Sequence, residues 1–361
     1  MQKISFSEKE LIQAGEYPKI PGPGTLPKYS FPVTPRENYR AAIRDRMPLW
    51  IPSYYDFVNL TPACYPDAIA RGSVMGPEGA DFADDSRKGG IDSFGIQWDY
   101  VPVAGGSMVR PGSPLISDMN QWRSKVKMPD VESWAWAKSS ENCADFLKNE
   151  DGARVMWIFT GLFERLISFM DFEGAALAII DEDQLDAIND FFTQCCGVYE
   201  RIIAHYKKDF GCDVVFFHDD WGSQRSPFFS VNTCMDVIVP HLKRLVDYAH
   251  SLGMMFEHHS CGKNELLVPC YLAAGIDIWA PQPQNDHIRI LKEVDGKIAI
   301  GLWGDEHKHG SEEEKYAAGK AFADNYSASY SKQPVFHCDL FNIEEKFKEA
   351  LYVESRKLLC R

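Results

Sequence analysis

The sequence predicts an α/β fold, a (β/α)8 TIM barrel forming a single domain behind an N-terminal arm. Three observations predict it. Eight short β-rich runs alternate with longer helical patterns, and eight strands of this kind close a barrel. The turn after the first run, Tyr54-Tyr55-Asp56-Phe57-Val58, has no GxGxxG, which argues against an open dinucleotide-binding sheet. The ends of the runs carry polar, ligand-capable side chains, and barrels place their chemistry at the C-terminal ends of strands.

The elements follow in order. Residues 1–35 are rich in Pro and Gly (Pro18, Pro21, Gly22, Pro23, Gly24, Pro27, Pro32, Pro35) and read as an arm over the surface. The barrel occupies 36–361. It opens with the helical segment Pro35-Arg36-Glu37-Asn38-Tyr39-Arg40-Ala41-Ala42, with Pro at the first helical position. Strands are expected at 49–55, 93–101, 155–160, 214–219, 255–261, 276–282, 297–303 and 334–340. Helices are expected at 163–173, 183–208, 233–252, 263–274, 286–294, 311–330 and 342–357.

Composition narrows the function. The 361 residues are 45% hydrophobic and 25% charged, enough for a large core. A net charge of −14 without any Lys/Arg block disfavours nucleic acid and anionic membranes as partners. The 10 cysteines lack framework spacing, and the first residues lack the basic and apolar regions of a signal peptide. No stretch approaches the roughly 20 apolar residues of a spanning helix. A cytoplasmic protein with reduced thiols and no membrane partner is expected.

The predicted strand ends bear Asp56, Trp98 and Asp99, Thr160, His218 with Asp219 and Asp220, His259 with Cys261, Gln282 and Gln284, Trp303 with Asp305, and His337 with Cys338 and Asp339. The most informative are His259 and Cys261. On an extended segment a His-x-Cys pair points to one side, and a remote cysteine such as Cys338 would then close a zinc site with one open position. Asp219, Asp220 and Glu257 are the candidate catalytic groups. Alternation lets at most one of the two adjacent aspartates face the pocket, with capping of a helix as the competing role for either. Glu257 shares the face of His259. His258 and His337 should face away and pack. Tyr54, Asp56, Trp98, His218, Trp221, Gln282 and Trp303 are the candidate substrate-binding residues. Of these, Tyr54, Trp98, Trp221 and Trp303 belong to an aromatic set with Tyr55, Phe57, Trp157, Phe159, Phe216, Phe217, Phe228, Phe229 and Trp279, about half of which should be plain packing.

His259-Ser260-Cys261-Gly262-Lys263, continuing through Leu267-Val268-Pro269, Ala274-Gly275-Ile276-Asp277 and Asn285-Asp286 to Gly296-Lys297-Ile298, resembles the uroporphyrinogen decarboxylase superfamily. Within it the resemblance is to the corrinoid-linked methyltransferases, and Thr34-Pro35-Arg36-Glu37-Asn38-Tyr39-Arg40-Ala41 resembles their opening helix. The resemblance spans about residues 34–357. It implies zinc held by His259, Cys261 and Cys338, and a corrinoid (cobalamin) carried in trans by a partner protein, because this chain has no DxHxxG carrier motif.

The superfamily's founding decarboxylases carry an arginine-rich motif after the first strand, whereas Pro52-Ser53-Tyr54-Tyr55-Asp56-Phe57-Val58-Asn59-Leu60 has no Arg. A polycarboxylate substrate would meet no matching cations there. The expected activity is therefore O-demethylation, moving a methyl group from a small methoxylated, aromatic donor to cobalt. Methyl transfer from a corrinoid to a thiol such as coenzyme M is the alternative, followed by decarboxylation of a smaller acid and by a catalytically silent metal-binding barrel. The methyl donor and the oligomeric state stay open, a homodimer among the assemblies.

Overall fold

The computed structural model describes residues 4–18, 24–304, 310–339 and 343–360, so the candidate Asp305 lies outside the described residues. The described strands are β1 (Gln13–Pro18), β2 (Thr25–Tyr29), β3 (Phe57–Leu60), β4 (Gly90–Ile91), β5 (Gln97–Val101), β6 (Gly106–Val109), β7 (Ala153–Ile158), β8 (Val214–His218), β9 (Met255–His259), β10 (Ile278–Trp279), β11 (Ala299–Leu302) and β12 (Val335–His337). The class is mixed α/β with parallel strands, and the chain divides into two compact units. One comprises 1–58, 151–153 and 277–361, the other 59–150 and 154–276.

In the first unit β10, β11 and β12 run parallel, and helices His287–Val294 and Glu312–Ser327 lie between them in sequence. The helix Pro35–Arg40 starts where expected, through a capping box in which Thr34 and Glu37 bind each other's backbone N–H at 3.2 and 2.9 Å. The predicted strand 49–55 is corrected. It contributes a single parallel bridge, Ser53 to His337, because its backbone spends its hydrogen bonds on side chains. Asn38 Oδ1 accepts from Leu49 N at 2.7 Å, Asn38 Nδ2 donates to Trp50 O at 3.0 Å, and Ser355 Oγ accepts from Ile51 N at 3.1 Å. The regular strand begins later, at Phe57.

Residues of the arm are built into this unit's core. β1 and β2 pair antiparallel, and Tyr29 packs with Leu49, Trp50, Tyr352 and Val353. Glu10 is buried against Arg356, with Nη2 at 2.7 Å and Nε at 2.9 Å, and accepts from Tyr352 Oη at 2.6 Å. Such a bidentate pair satisfies both charges out of water.

In the second unit β7, β8 and β9 run parallel, with helices Leu162–Ala178 and Leu185–Phe210 following β7 and Val239–Ser251 following β8. The long helix buries Ile188, Phe191, Phe192, Cys195, Val198, Tyr199, Ile202 and Tyr206, the three-to-four spacing of one apolar face. The expected strand 93–101 is a correction too. Its residues enter β5 of a separate antiparallel sheet ordered β4-β5-β6 rather than the parallel set. Local turn chemistry decides this. Asp92 Oδ1 accepts from Phe94 N and Ile96 N, both at 2.9 Å, and Gly105, at φ 65°, turns the chain into β6.

Candidate metal centre

β8 and β9 are in register with His218 opposite His259, so both histidines leave their strands at the same C-terminal edge. Their rings stack at 5.2 Å. Phe216 stacks on His259 at 5.4 Å, and Trp157 of β7 stacks on Phe216 at 3.7 Å. Three neighbouring strands thereby supply a shelf of π faces ending at an imidazole. Trp157 Nε1 is satisfied by Asn59 Oδ1 at 2.8 Å, which fixes the indole.

At the end of this shelf His218, Asp220, His259 and Cys261 each place a ligand atom within 4.8 Å of all the others. Cys261 Sγ is 3.6 Å from His259 Nε2, and His218 Nε2 is 3.8 Å from Asp220 Oδ1. The edges of a tetrahedron around zinc, with bonds of about 2.0–2.3 Å, are roughly 3.3–3.8 Å long. These two distances match such edges, and two imidazoles, a thiol and a carboxylate gathered within 4.8 Å have the donor chemistry that zinc takes.

The loops after β8 and β9 are tied to one another, and this sets the spacing. Asp220 Oδ1 accepts from Cys261 N at 2.6 Å, and Ser260 Oγ accepts from Trp221 N at 2.7 Å. Asn264 Nδ2 donates to Ser260 Oγ at 2.9 Å and to Cys261 O at 2.7 Å. Gly262 adopts φ 98°, and a Cβ there would collide with the Gly222 carbonyl. Only glycine lets the two loops approach this closely.

The adjacent aspartates separate as alternation requires. Asp220 faces the cluster. Asp219 turns the other way, fully buried, and accepts from Glu164 N at 2.8 Å, Phe163 N at 3.1 Å and Trp221 Nε1 at 2.9 Å. It caps the first turn of the helix Leu162–Ala178, and burial, reinforced by the charge of Glu164, pushes its carboxyl up to about 7. Trp221 lies in the core, stacked on Tyr271 at 5.3 Å. His258 faces away from the cluster and packs on Trp221 at 4.2 Å.

Burial alone would favour a neutral His218, but the Glu164 and Asp220 carboxylates hold it well above the ordinary histidine range. Asp220 is held low against its own burial by His218 and His259. Burial, with His218 nearby, lowers His259 to about 4, leaving it the neutral imidazole that binds metals. Burial raises the Cys261 thiol, and a coordinated cation would convert it to thiolate. Glu257 is buried two residues before His259, on the same face of β9. Desolvation raises it to about 8.

The remaining candidates divide between the units. Trp98 belongs to the antiparallel sheet, where its indole donates to Asp92 Oδ2 at 2.8 Å and its ring lies 4.6 Å under the Arg71 guanidinium. Tyr54, Asp56, Gln282, Trp303 and Cys338 lie in the first unit. Tyr54 packs edge-on against Phe57 at 5.0 Å. Asp56 is buried and accepts from Trp50 Nε1 at 2.5 Å and Ser53 N at 2.8 Å, closing the turn Tyr54–Asp56. Gln282 accepts from Gln284 Nε2 at 2.8 Å, Trp303 donates to Pro281 O at 2.8 Å, and buried Cys338 follows β12 directly. Sequence reasoning missed Glu164 and Arg71. Glu164 Oε2 is 2.8 Å from His218 Nδ1, and Arg71 pairs with Glu164 at 3.1 Å. No motif marks either residue, since their meeting with His218 is made across elements distant in sequence.

No family model matches the chain, and no curated protein sequence does. Among solved structures, the chain is similar to a methyltransferase from Methanosarcina mazei, with a TM-score of 0.55 and 11% identity, covering 90% of this chain and 98% of that one. A phosphonopyruvate hydrolase complexed with oxalate and Mg2+ (TM-score 0.29, 11% identity, 84% and 80% covered) is far less similar. So is a hyperthermostable endo-1,4-β-D-mannanase from Thermotoga petrophila (0.27, 11%, 60% and 66%). What is common to this chain and the Methanosarcina methyltransferase is the fold.

Proposed function

We propose that the protein is a zinc-dependent methyltransferase that moves a methyl group from a methoxylated aromatic substrate to the cobalt of a corrinoid held by a separate protein. The observation that carries this reading is the convergence of His218, Asp220, His259 and Cys261 at the ends of β8 and β9, in a chain with the fold of a methyltransferase. Zinc held by these four residues would have to expand to five-coordination to take the ether oxygen, and would then act as a Lewis acid for a departure as phenolate that is otherwise slow. The chain's own residues do the rest. Trp157, half-buried, offers the exposed part of its ring to an arene, while Phe216 is held between it and His259. Glu257, buried on the His259 face of β9, would be the proton donor to the departing oxygen. The C–O bond breaks with its electron pair left on oxygen, which takes the proton, and the methyl carbon would be received by the carrier's cob(I) centre, whose own electron pair makes the new bond.

The test is a donor panel. The zinc-loaded protein is mixed with a cob(I)alamin-bearing carrier protein and with methoxyarenes, alkyl methyl ethers or methyl thioethers, while methyl-cobalt absorbance is followed. Methylation of cobalt by methoxyarenes is expected. Methylation of a thiol by methylcobalamin, without reaction of ethers, would transfer the assignment to thiol methylation. Carbon dioxide release without corrinoid would replace it by decarboxylation. Zinc analysis of Cys261→Ser and Cys338→Ser settles the ligand set. Loss in both variants supports the second thiolate, Cys338, that the family resemblance implies, whereas loss in Cys261→Ser alone leaves the four residues of β8, β9 and their loops.

A further inference from the structure

Glu164 is hydrogen-bonded to one member of the cluster, His218, and its two carboxylate oxygens are divided between two partners. Oε1 accepts from Arg71 Nη1 and Nη2, both at 3.1 Å, and Oε2 lies 2.8 Å from His218 Nδ1. All three side chains are nearly buried, at 13% exposure for Arg71, 11% for Glu164 and 13% for His218, so water competes little for these contacts. Their backbones and planes are fixed as well. Glu164 stands in the first turn of the helix Leu162–Ala178, its N–H bound by Asp219 at 2.8 Å, where the helix end favours a negative charge. Arg71 is held over the Trp98 ring at 4.6 Å and reaches Thr160 Oγ1 at 3.5 Å.

We propose that Glu164, clamped by Arg71, is a positioning residue that makes His218 a metal ligand. A carboxylate already accepting two guanidinium N–H groups offers its other oxygen as an acceptor, so the imidazole proton sits on Nδ1. With a cation in place of the Nε2 proton, the rigid ring would aim the Nε2 lone pair at the point shared by Asp220, Cys261 and His259. Fixing the tautomer and plane of a ligating histidine is the task that a carboxylate behind the ring performs, and losing it weakens metal binding by about 10–100-fold. Trp98 and the antiparallel sheet join the site by this route, through Arg71 rather than by touching substrate. The inference rests on the metal reading above.

Zinc dissociation constants, measured on the full chain by chelator competition, test it with Glu164→Leu, Glu164→Gln, His218→Ala and the double variant Glu164→Leu/His218→Ala. Glu164→Leu should weaken zinc about 10–100-fold, and Glu164→Gln, whose amide oxygen still accepts from Nδ1, should recover most of that. The double variant should bind about as weakly as His218→Ala alone, because the carboxylate's hydrogen bond to the cluster is made to the ring. The visible bands of the cobalt(II)-loaded protein should shift in Glu164→Leu as they do in His218→Ala. Arg71→Gln, with a smaller loss in the same direction, keeps the test open should Glu164→Leu not fold. Unchanged zinc affinity and cobalt spectrum in Glu164→Leu, or losses that simply add in the double variant, would overturn the positioning role alone. A wild type that takes up no zinc would overturn the metal reading beneath it.

Discussion

Two arginines of the second unit, Arg71 and Arg165, each bind carboxylates near the start of the same helix, and they serve different ends. Arg165 is wholly buried between Asp67 and Asp92, each at 2.5 Å. Those carboxylates are themselves saturated. Asp92 takes two backbone N–H groups and the Trp98 indole, and Asp67 takes Ser93 N at 2.8 Å and Tyr65 Oη at 3.2 Å. Arg71 begins a chain of contacts that ends instead in the nitrogen, oxygen and sulfur atoms of His218, Asp220, His259 and Cys261. A buried charge network that closes on itself, its carboxylates saturated even though Arg165 Nε has no hydrogen-bond partner among the described residues, is scaffold. One that ends in gathered donor atoms of metal-binding type is a candidate site.

The largest test of that contrast is Cys261→Ser, which should take zinc from about one ion per chain to almost none and abolish methyl transfer while the fold remains, as read by metal analysis and circular dichroism. Arg165→Leu should do the reverse. It leaves Asp67 and Asp92 buried without their cation and should cost about 3–5 kcal/mol in urea unfolding, with zinc affinity of the folded protein preserved. A stable Arg165→Leu that had lost zinc would break the comparison. Asp219→Ala comes next, with a loss of about 1–2 kcal/mol for the missing helix cap and a smaller change in zinc binding than Asp220→Ala. The smallest effect on zinc is expected of Trp98→Leu. It loosens Arg71 by about 0.5–1 kcal/mol and should lower zinc affinity by a few-fold at most, while the lost indole hydrogen bond to Asp92 costs about 1.5–3 kcal/mol of stability.

Much of the parallel architecture was readable because short apolar runs and amphipathic helices have distinct periods, as β8, β9 and the helix Leu185–Phe210 illustrate. Period failed where side chains override it. Residues 93–101 read as a buried strand, but Asp92 and Gly105 bend the chain into hairpins. Residues 49–55 read likewise, but Asn38 and Ser355 take their backbone hydrogen bonds. Alternation was the more reliable guide at the site. It put His259 and Cys261 together, sent His258 into the core and allowed only one of Asp219 and Asp220 toward the pocket. It could not say which one, because that choice depends on where the first turn of a helix some 55 residues earlier in the chain leaves its N–H groups unpaired.

What the sequence by itself determined is the chemistry available: a His-x-Cys at a strand end, a His-Asp-Asp at another, an aromatic population and an acidic surface. These follow from residue type and from the two-residue period of a strand, both of which are local. Only the tertiary structure decided that His218 and Asp220 join His259 and Cys261, that Asp219 caps a helix instead, and that Glu164 and Arg71 stand behind His218. Those pairings arise from strand register and from a helix start packed against the strand ends. Contacts between elements tens of residues apart leave no periodic trace in a single chain.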